Sequence, residues 1–269
     1  MGNALFIVWR ESVEAMLVIG ILYAWLKRND GDGTGLRALW AGVAAGMGLA
    51  AALGWGMVAA QGEMSGIALE WFQIGMLFAA TGLIVQMVLW MQKNGRRMKH
   101  NLERDMADAM QRSGAFGIAA VAALAVAREG AETVIFLYGM GLEDNAGARL
   151  ASGAALGLLL AALTAWAVNR GLRFLNYRQF FRISGFLLLL FAAALLATGV
   201  DRLIGMGWLP TLIDPVWDTS QLFDDASPSG AVLAAFTGYR ARPSLILVTI
   251  YVVYWISIMF AQRKLVCNE

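Results

Sequence analysis

The chain has 269 residues, 59% of them hydrophobic and only 15% charged, with a formal net charge of +2. Soluble domains run at about 45–50% apolar and about 25% charged, so this composition excludes an ordinary soluble globular protein. A single Cys (Cys267) and a single His (His100) exclude a disulfide framework and leave almost no soft or imidazole ligands for zinc or copper.

The apolar residues fall in seven runs, at 4–26, 36–60, 67–91, 115–141, 150–172, 183–205 and 245–261. Each is long enough, or nearly so, to cross about 30 Å of hydrocarbon as a helix. The sequence therefore predicts an all-α integral membrane protein with seven transmembrane helices. The first run lacks the basic start of a cleaved signal peptide and is interrupted by Arg10, Glu11 and Glu14, so it reads as a retained span. Those three residues form R-E-x-x-E, a spacing that puts both carboxylates and the guanidinium on one helix face. The second run carries Gly42-x-x-x-Gly46, small residues that let helix backbones approach closely. Glu70 follows at the start of the third run and reads as an interfacial residue. The polar stretch 93–114 reads as a solvated inner loop that sets topology, although 101–112 could form a short amphipathic helix.

The fourth run repeats the pattern as Arg128-Glu129-Gly130-Ala131-Glu132, near its middle. One charge at the centre of a span costs about 2.5–3.5 kcal/mol on insertion scales, so three require protein, water or an ion beside them. The fifth run has Gly153-x-x-x-Gly157, as the second has Gly42 and Gly46. The third opens with Phe72-Gln73-Ile74-Gly75 and the sixth with Phe181-Arg182-Ile183-Ser184-Gly185. These likenesses recur at offsets of about 110–118 residues and divide one permease domain into two copies of a three-helix unit. Repeat one covers about 1–92 and repeat two about 115–205, with the cytoplasmic loop 93–114 between them. An outer loop, 206–244, then leads to the seventh helix at 245–261. An odd number of helices per unit inverts the second copy, and transporters build sites where such repeats meet.

Loops on one side of the predicted bilayer, with the C-terminal tail, hold 15 basic and six acidic residues; those on the other hold four and nine. The excess of Lys and Arg places the C-terminus in the cytoplasm and the N-terminus outside, in a multi-pass protein of the cytoplasmic (inner) membrane. With that orientation Glu14 and Glu132 both fall about 14–15 Å below the outer surface, and Glu11 and Glu129 about 10 and 18 Å below it. The four carboxylates share a depth and could converge. Ionised carboxylates are hard ligands, suited to iron, manganese, magnesium or calcium. Arg10 and Arg128 would orient them; the competing reading is that these are Arg–Glu pairs joining helices.

Two R-E-x-x-E motifs in the first and fourth of seven helices resemble the oxidase-dependent iron permeases of the fungal Ftr and bacterial EfeU type. Ala125-Val126-Ala127-Arg128-Glu129-Gly130, Trp217-Asp218-Thr219-Ser220 and Gly238-Tyr239-Arg240-Ala241-Arg242-Pro243-Ser244 extend the likeness along the chain. The resemblance implies iron ligands or relays at Glu11, Glu14, Glu129 and Glu132, supported by Arg10 and Arg128. It implies iron, Fe²⁺ or Fe³⁺, as transported substrate, and an extracytoplasmic oxidase or iron-binding protein as partner. Two departures stand out. Ser12 replaces the Gly usual in the first motif, and Asp224-Asp225-Ala226-Ser227 runs into Pro228 where fungal members carry Asp-Ala-Ser-Glu. Asp218, Asp224 and Asp225, with Glu70, are the candidate outer entry. No enzymatic activity, tightly bound cofactor or nucleic-acid partner is expected, and oligomerisation is left open. The alternative cargo is another hard divalent cation such as manganese.

Overall fold

The structure, a computed structural model, describes residues 2–29, 33–95, 98–140, 147–169, 177–221, 224 and 227–267. The described residues form eight helices and no strand: α1 (Gly2–Asn29), α2 (Thr34–Glu63), α3 (Ile67–Asn94), α4 (Met98–Met140), α5 (Gly147–Asn169), α6 (Tyr177–Gly205), α7 (Pro228–Thr237) and α8 (Leu245–Cys267). Five are long and apolar enough to cross a membrane: α2, α3, α5, α6 and α8. The two long helices outside that set, α1 and α4, are the ones that carry R-E-x-x-E. Large apolar side chains point outward along these helices, among them Trp55 (77% exposed), Leu124 and Ile256. A surface of that kind suits hydrocarbon rather than water.

The chain forms two compact units, one of residues 1–65 and 94–175 and one of 66–93 and 176–269. The first contains α1, α2, α4 and α5, and glycines set its packing. A Cβ on Gly46 would lie 2.7 Å from the Ala123 carbonyl oxygen and 2.8 Å from the Val126 Cβ, and Gly42 is still tighter against Ala119. So α2 lies backbone to backbone on α4. In the same way a Cβ on Gly157 of α5 would lie 2.7 Å from the Leu5 carbonyl oxygen and 3.0 Å from the Trp9 nitrogen of α1. The Trp9 indole adds a hydrogen bond, donated from Nε1 to Thr164 Oγ1 of α5 at 3.0 Å. Gly42 and Gly46 of the first predicted pair, and Gly157 of the second, therefore mark close helix contacts.

From Met98 the polar stretch is helix, as the amphipathic helix expected over 101–112 would be, rather than a plain loop. It runs into the apolar part of α4 through Gly114, whose φ of 54° and ψ of −133° break the helical geometry. Leu102, Met106 and Met110 recur every four residues and form an apolar stripe. Met106 is fully buried in a cluster with Leu22, Leu26, Leu39, Ile118 and Ala122. Burial of that stripe outweighs the solvation its charged neighbours would favour.

The second unit contains α3, α6, α7 and α8. Thr81 of α3 donates to the Ala192 carbonyl of α6 at 3.4 Å, and Tyr254 of α8 donates to the Leu189 carbonyl at 2.8 Å. Ala197, Val200 and Leu247 form a core flanked by Phe78 and Ile250. The connection between α6 and α8 holds the short helix α7, whose N-cap Ser227 accepts from the Gly230 N–H at 3.1 Å. It ends at Gly238 in the left-handed conformation, whose N–H donates to the Ala234 carbonyl. The sequence Ser-Pro-Ser-Gly at 227–230 is a helix-start signal that a reading of 206–244 as plain loop passed over.

Candidate metal centre

Helix α1 turns Arg10, Glu11 and Glu14 to its buried side, and α4 brings Glu129 to the same place. One carboxylate oxygen from each of Glu11, Glu14 and Glu129 lies within 4.8 Å of the others. Oxygens sharing one hard cation at about 2.1–2.5 Å are separated by at most about 5 Å, so the group is close to ligand spacing without further movement. The Arg10 guanidinium donates from Nη1 to Glu11 Oε1 at 2.6 Å and pairs through Nη2 with Glu14 Oε1 at 2.5 Å. Arg10 and Glu11 are each only 1% exposed, so their charges meet protein alone.

The second motif is built differently. Arg128 Nε donates to Glu132 Oε1 at 3.0 Å, while the Arg128 side chain is 46% exposed. Glu132 is buried on that pair and is not one of the three clustered carboxylates. Glu11, Glu129 and Glu132 each keep one buried oxygen, Oε2, with no hydrogen-bond partner among the described residues. Buried polar atoms are nearly always satisfied, so three such oxygens on two neighbouring motifs are what a cation-accepting site requires. With all groups ionised, three carboxylates against Arg10 sum to −2, and Arg128 with Glu132 sums to zero.

Neighbouring contacts fix this geometry. A Cβ on Gly130 would stand 2.5 Å from the Ala50 Cβ, so glycine inside the second motif lets α2 lie against α4 beside the carboxylates. Ser12, at the corresponding place in the first motif, is half-buried. Thr133 Oγ1 donates to the Glu129 carbonyl at 2.8 Å, and Tyr138 donates to Gln61 Oε1 at 3.0 Å, tying α4 to α2 beyond the motif. Neither Thr133 nor the Tyr138–Gln61 pair was singled out from sequence, because uncharged polar residues in a span carry no spacing signal.

The candidate entry residues lie in the second unit. Glu70 is exposed in the first turn of α3. Asp218 is committed on both oxygens: Oδ1 accepts from the Ser220 hydroxyl at 2.6 Å and the Ser220 N–H at 3.0 Å, and Oδ2 accepts from Arg242 at 3.0 Å. These hydrogen bonds from Ser220, with Arg242 beside them, hold the Asp218 carboxyl down at about 2. Asp218 thus braces the loop, with the Thr219 N–H donating to the Ala241 carbonyl at 3.0 Å as a second tie. Asp224 is exposed, and its carbonyl accepts from the Ser227 hydroxyl at 2.6 Å. Asp225 lies outside the described residues.

Residues 1–267 match the iron permease FTR1 family. The ferrous iron permease EfeU of Yersinia pestis is 29% identical over 252 residues, covering 93% of this chain and 89% of that protein. The ferrous iron permease EfeU of Escherichia coli O157:H7 is 30% identical over 257 residues, covering 95% of this chain and 92% of that protein. No solved structure matches.

Proposed function

This chain belongs to the iron permease FTR1 family, and we propose that it imports iron through the carboxylates of Glu11, Glu14 and Glu129. It is a multi-pass membrane transporter rather than an enzyme. The observation that carries the site assignment is the approach of those three carboxylates to within 4.8 Å, about a single buried arginine. Glu132, paired with Arg128, is a relay beside the site rather than a resident ligand. The net charge of −2 matches Fe²⁺, whereas Fe³⁺ would leave an unbalanced positive charge where such charge is expensive. Relatives named as ferrous iron permeases favour the same ion.

Seven spans in two inverted repeats complete the reading. Its support is that α2 lies on α4 through Gly42 and Gly46 while α5 lies on α1 through Gly157, each motif helix paired with the glycine helix of the other repeat. The N-terminus is outside and the C-terminus cytoplasmic, in the inner membrane. An inside-negative potential then draws the ion inward by about 2.3 kcal/mol per charge per 100 mV. No resident cofactor takes part, and an extracytoplasmic oxidase or iron-binding protein supplies the cargo at the outer loop.

Flux into sealed vesicles, with ascorbate or with a ferric chelate, tests the ion. Uptake is expected from the ascorbate condition by the permease alone; uptake from the ferric condition only, blocked by ascorbate, would overturn the charge argument. An all-oxygen ligand set also suits manganese, so Mn²⁺ is included as competitor. Equal transport of Mn²⁺ and Fe²⁺ would replace iron selectivity by hard-cation transport.

A further inference from the structure

The first part of α4, residues 98–113, packs beneath the carboxylate cluster, at the end of α1 that carries Lys27 and Arg28. Met106 is 0% exposed there, enclosed with Leu22 and Leu26 of α1, Leu39 of α2, and Ile118 and Ala122 farther along α4. Leu22 lies about 12 Å beyond Glu14 along α1, and Ala122 about 10 Å from Glu129 along α4. A cation leaving the carboxylates between these two helices would meet only apolar side chains, which offer no ligand to an ion stripped of water. This end of the path is shut, and something must move to open it.

The members of the plug differ in what holds them. Leu39, Ile118 and Ala122 sit on α2 and α4 where Gly42 and Gly46 bring the two backbones together. Leu22 and Leu26 belong to the same continuous helix as Arg10, Glu11 and Glu14. Met106 alone comes from a short helix outside the span, joined to it through Gly114 with a φ of 54° that residues with side chains rarely adopt. Between that helix and α1, Arg28 Nη2 meets Glu103 Oε1 at 3.7 Å, with the Arg28 side chain 66% exposed. A hinge and a buried apolar plug are the parts of a gate.

We propose that residues 98–113 are the inner gate of the permeation path, with Met106 as the plug that withdraws about Gly114 when iron leaves the carboxylates. The proposal rests on the assignment of Glu11, Glu14 and Glu129 as the iron site.

The test uses the full chain in sealed vesicles with Cys267→Ser as background. In Met106→Cys, a membrane-impermeant maleimide applied from the cytoplasmic side is expected to label slowly without iron and at least tenfold faster during Fe²⁺ flux. A labelling rate that Fe²⁺ leaves unchanged overturns the gate. In Arg28→Cys/Glu103→Cys, a reversible bis-methanethiosulfonate linker pins the helix to α1. Fe²⁺ flux is expected to fall at least tenfold, to return on reduction, and equilibrium ⁵⁵Fe²⁺ binding is expected to persist in the pinned protein. Undiminished flux with the linker confirmed by mass overturns the gate whatever the fate of the site. Failure of the site assignment reads out separately, as Fe²⁺ binding and flux that survive Glu129→Gln.

Discussion

Replacing Arg10 by alanine removes the cation in direct contact with Glu11 and Glu14, at 2.6 and 2.5 Å. Both partners remain buried, and the cluster moves from −2 to −3. Breaking a buried pair by deleting one side costs about 3–5 kcal/mol, because the other charge is left uncompensated. A loss of that size is a large part of the stability of a typical domain. Arg128→Ala deletes the 3.0 Å contact with Glu132 from a side chain that is already 46% exposed, so its cost is expected to fall below that range, at about 1–2 kcal/mol. The assay is the yield and thermal stability of the detergent-purified variants. The expected order is wild type, then Arg128→Ala, then Arg10→Ala by a wide margin. Arg10→Ala/Glu11→Gln restores the cluster to −2 and is expected to recover much of the lost stability. Arg10→Ala as stable as Arg128→Ala, or no recovery in the double variant, would refute the view that the two motifs are electrostatically different.

Three other outcomes follow from the same geometry. Glu129→Gln keeps the shape of the side chain and removes one charge from the cluster; iron uptake is expected to fall at least tenfold at unchanged membrane abundance, measured by ⁵⁵Fe²⁺ flux. Gly130→Ala places a Cβ 2.5 Å from that of Ala50 and is expected to destabilise by about 1–3 kcal/mol, with Ala50→Gly restoring the melting temperature. For the outer loop, the Asp218 carboxyl is lowered to about 2 by Ser220 and Arg242. A depressed value stabilises the loop above the ordinary carboxylate range and is lost as pH falls through about 2. Hydrogen exchange at Thr219 and Ser220 is therefore expected to stay slow at pH 4 and to become fast at that pH in Asp218→Asn.

The site was legible to the extent that charge in a span is legible. Arg10, Glu11, Glu14 and Glu129 stand out because a charge inside apolar sequence has few explanations. The Gly pairs on α2 and α5 were readable for a related reason, since small residues at a spacing of four have one packing use. What escaped was whatever depends on a partner from another element. Nothing in R-E-x-x-E says that one arginine will be sealed against two carboxylates and the other will reach the surface with one. The stripe Leu102-Met106-Met110 was visible as a periodicity, but its burial depends on Leu22, Leu26 and Leu39 of other helices. Asp218 read as a candidate outer entry because a loop carboxylate ordinarily is available; Arg242, 24 residues later, engages it.

The uneven use of the two arginines bears on how the site can hold an ion and still release it. With no arginine in the cluster, three buried carboxylates would stand at −3 when empty, a charge that apolar surroundings resist. With both arginines in it, the sum would be −1, too little to balance a divalent ion. One arginine in the cluster, and the other closed on Glu132, leaves −2 with all groups ionised: tolerable when empty because Arg10 lies at 2.5–2.6 Å from two of the three carboxylates, and neutral with Fe²⁺ on the assignment proposed above. On that assignment Glu132 would act on the ion through its pair. If the Arg128–Glu132 contact opens, a fourth carboxylate turns toward the path and offers the ion a competing oxygen. The Arg128 side chain is 46% exposed and has room to leave that contact, a freedom that Arg10, sealed at 1% exposure, does not have. The exposed arginine is thus the one whose pair can exchange, and the buried one sets the charge of the site.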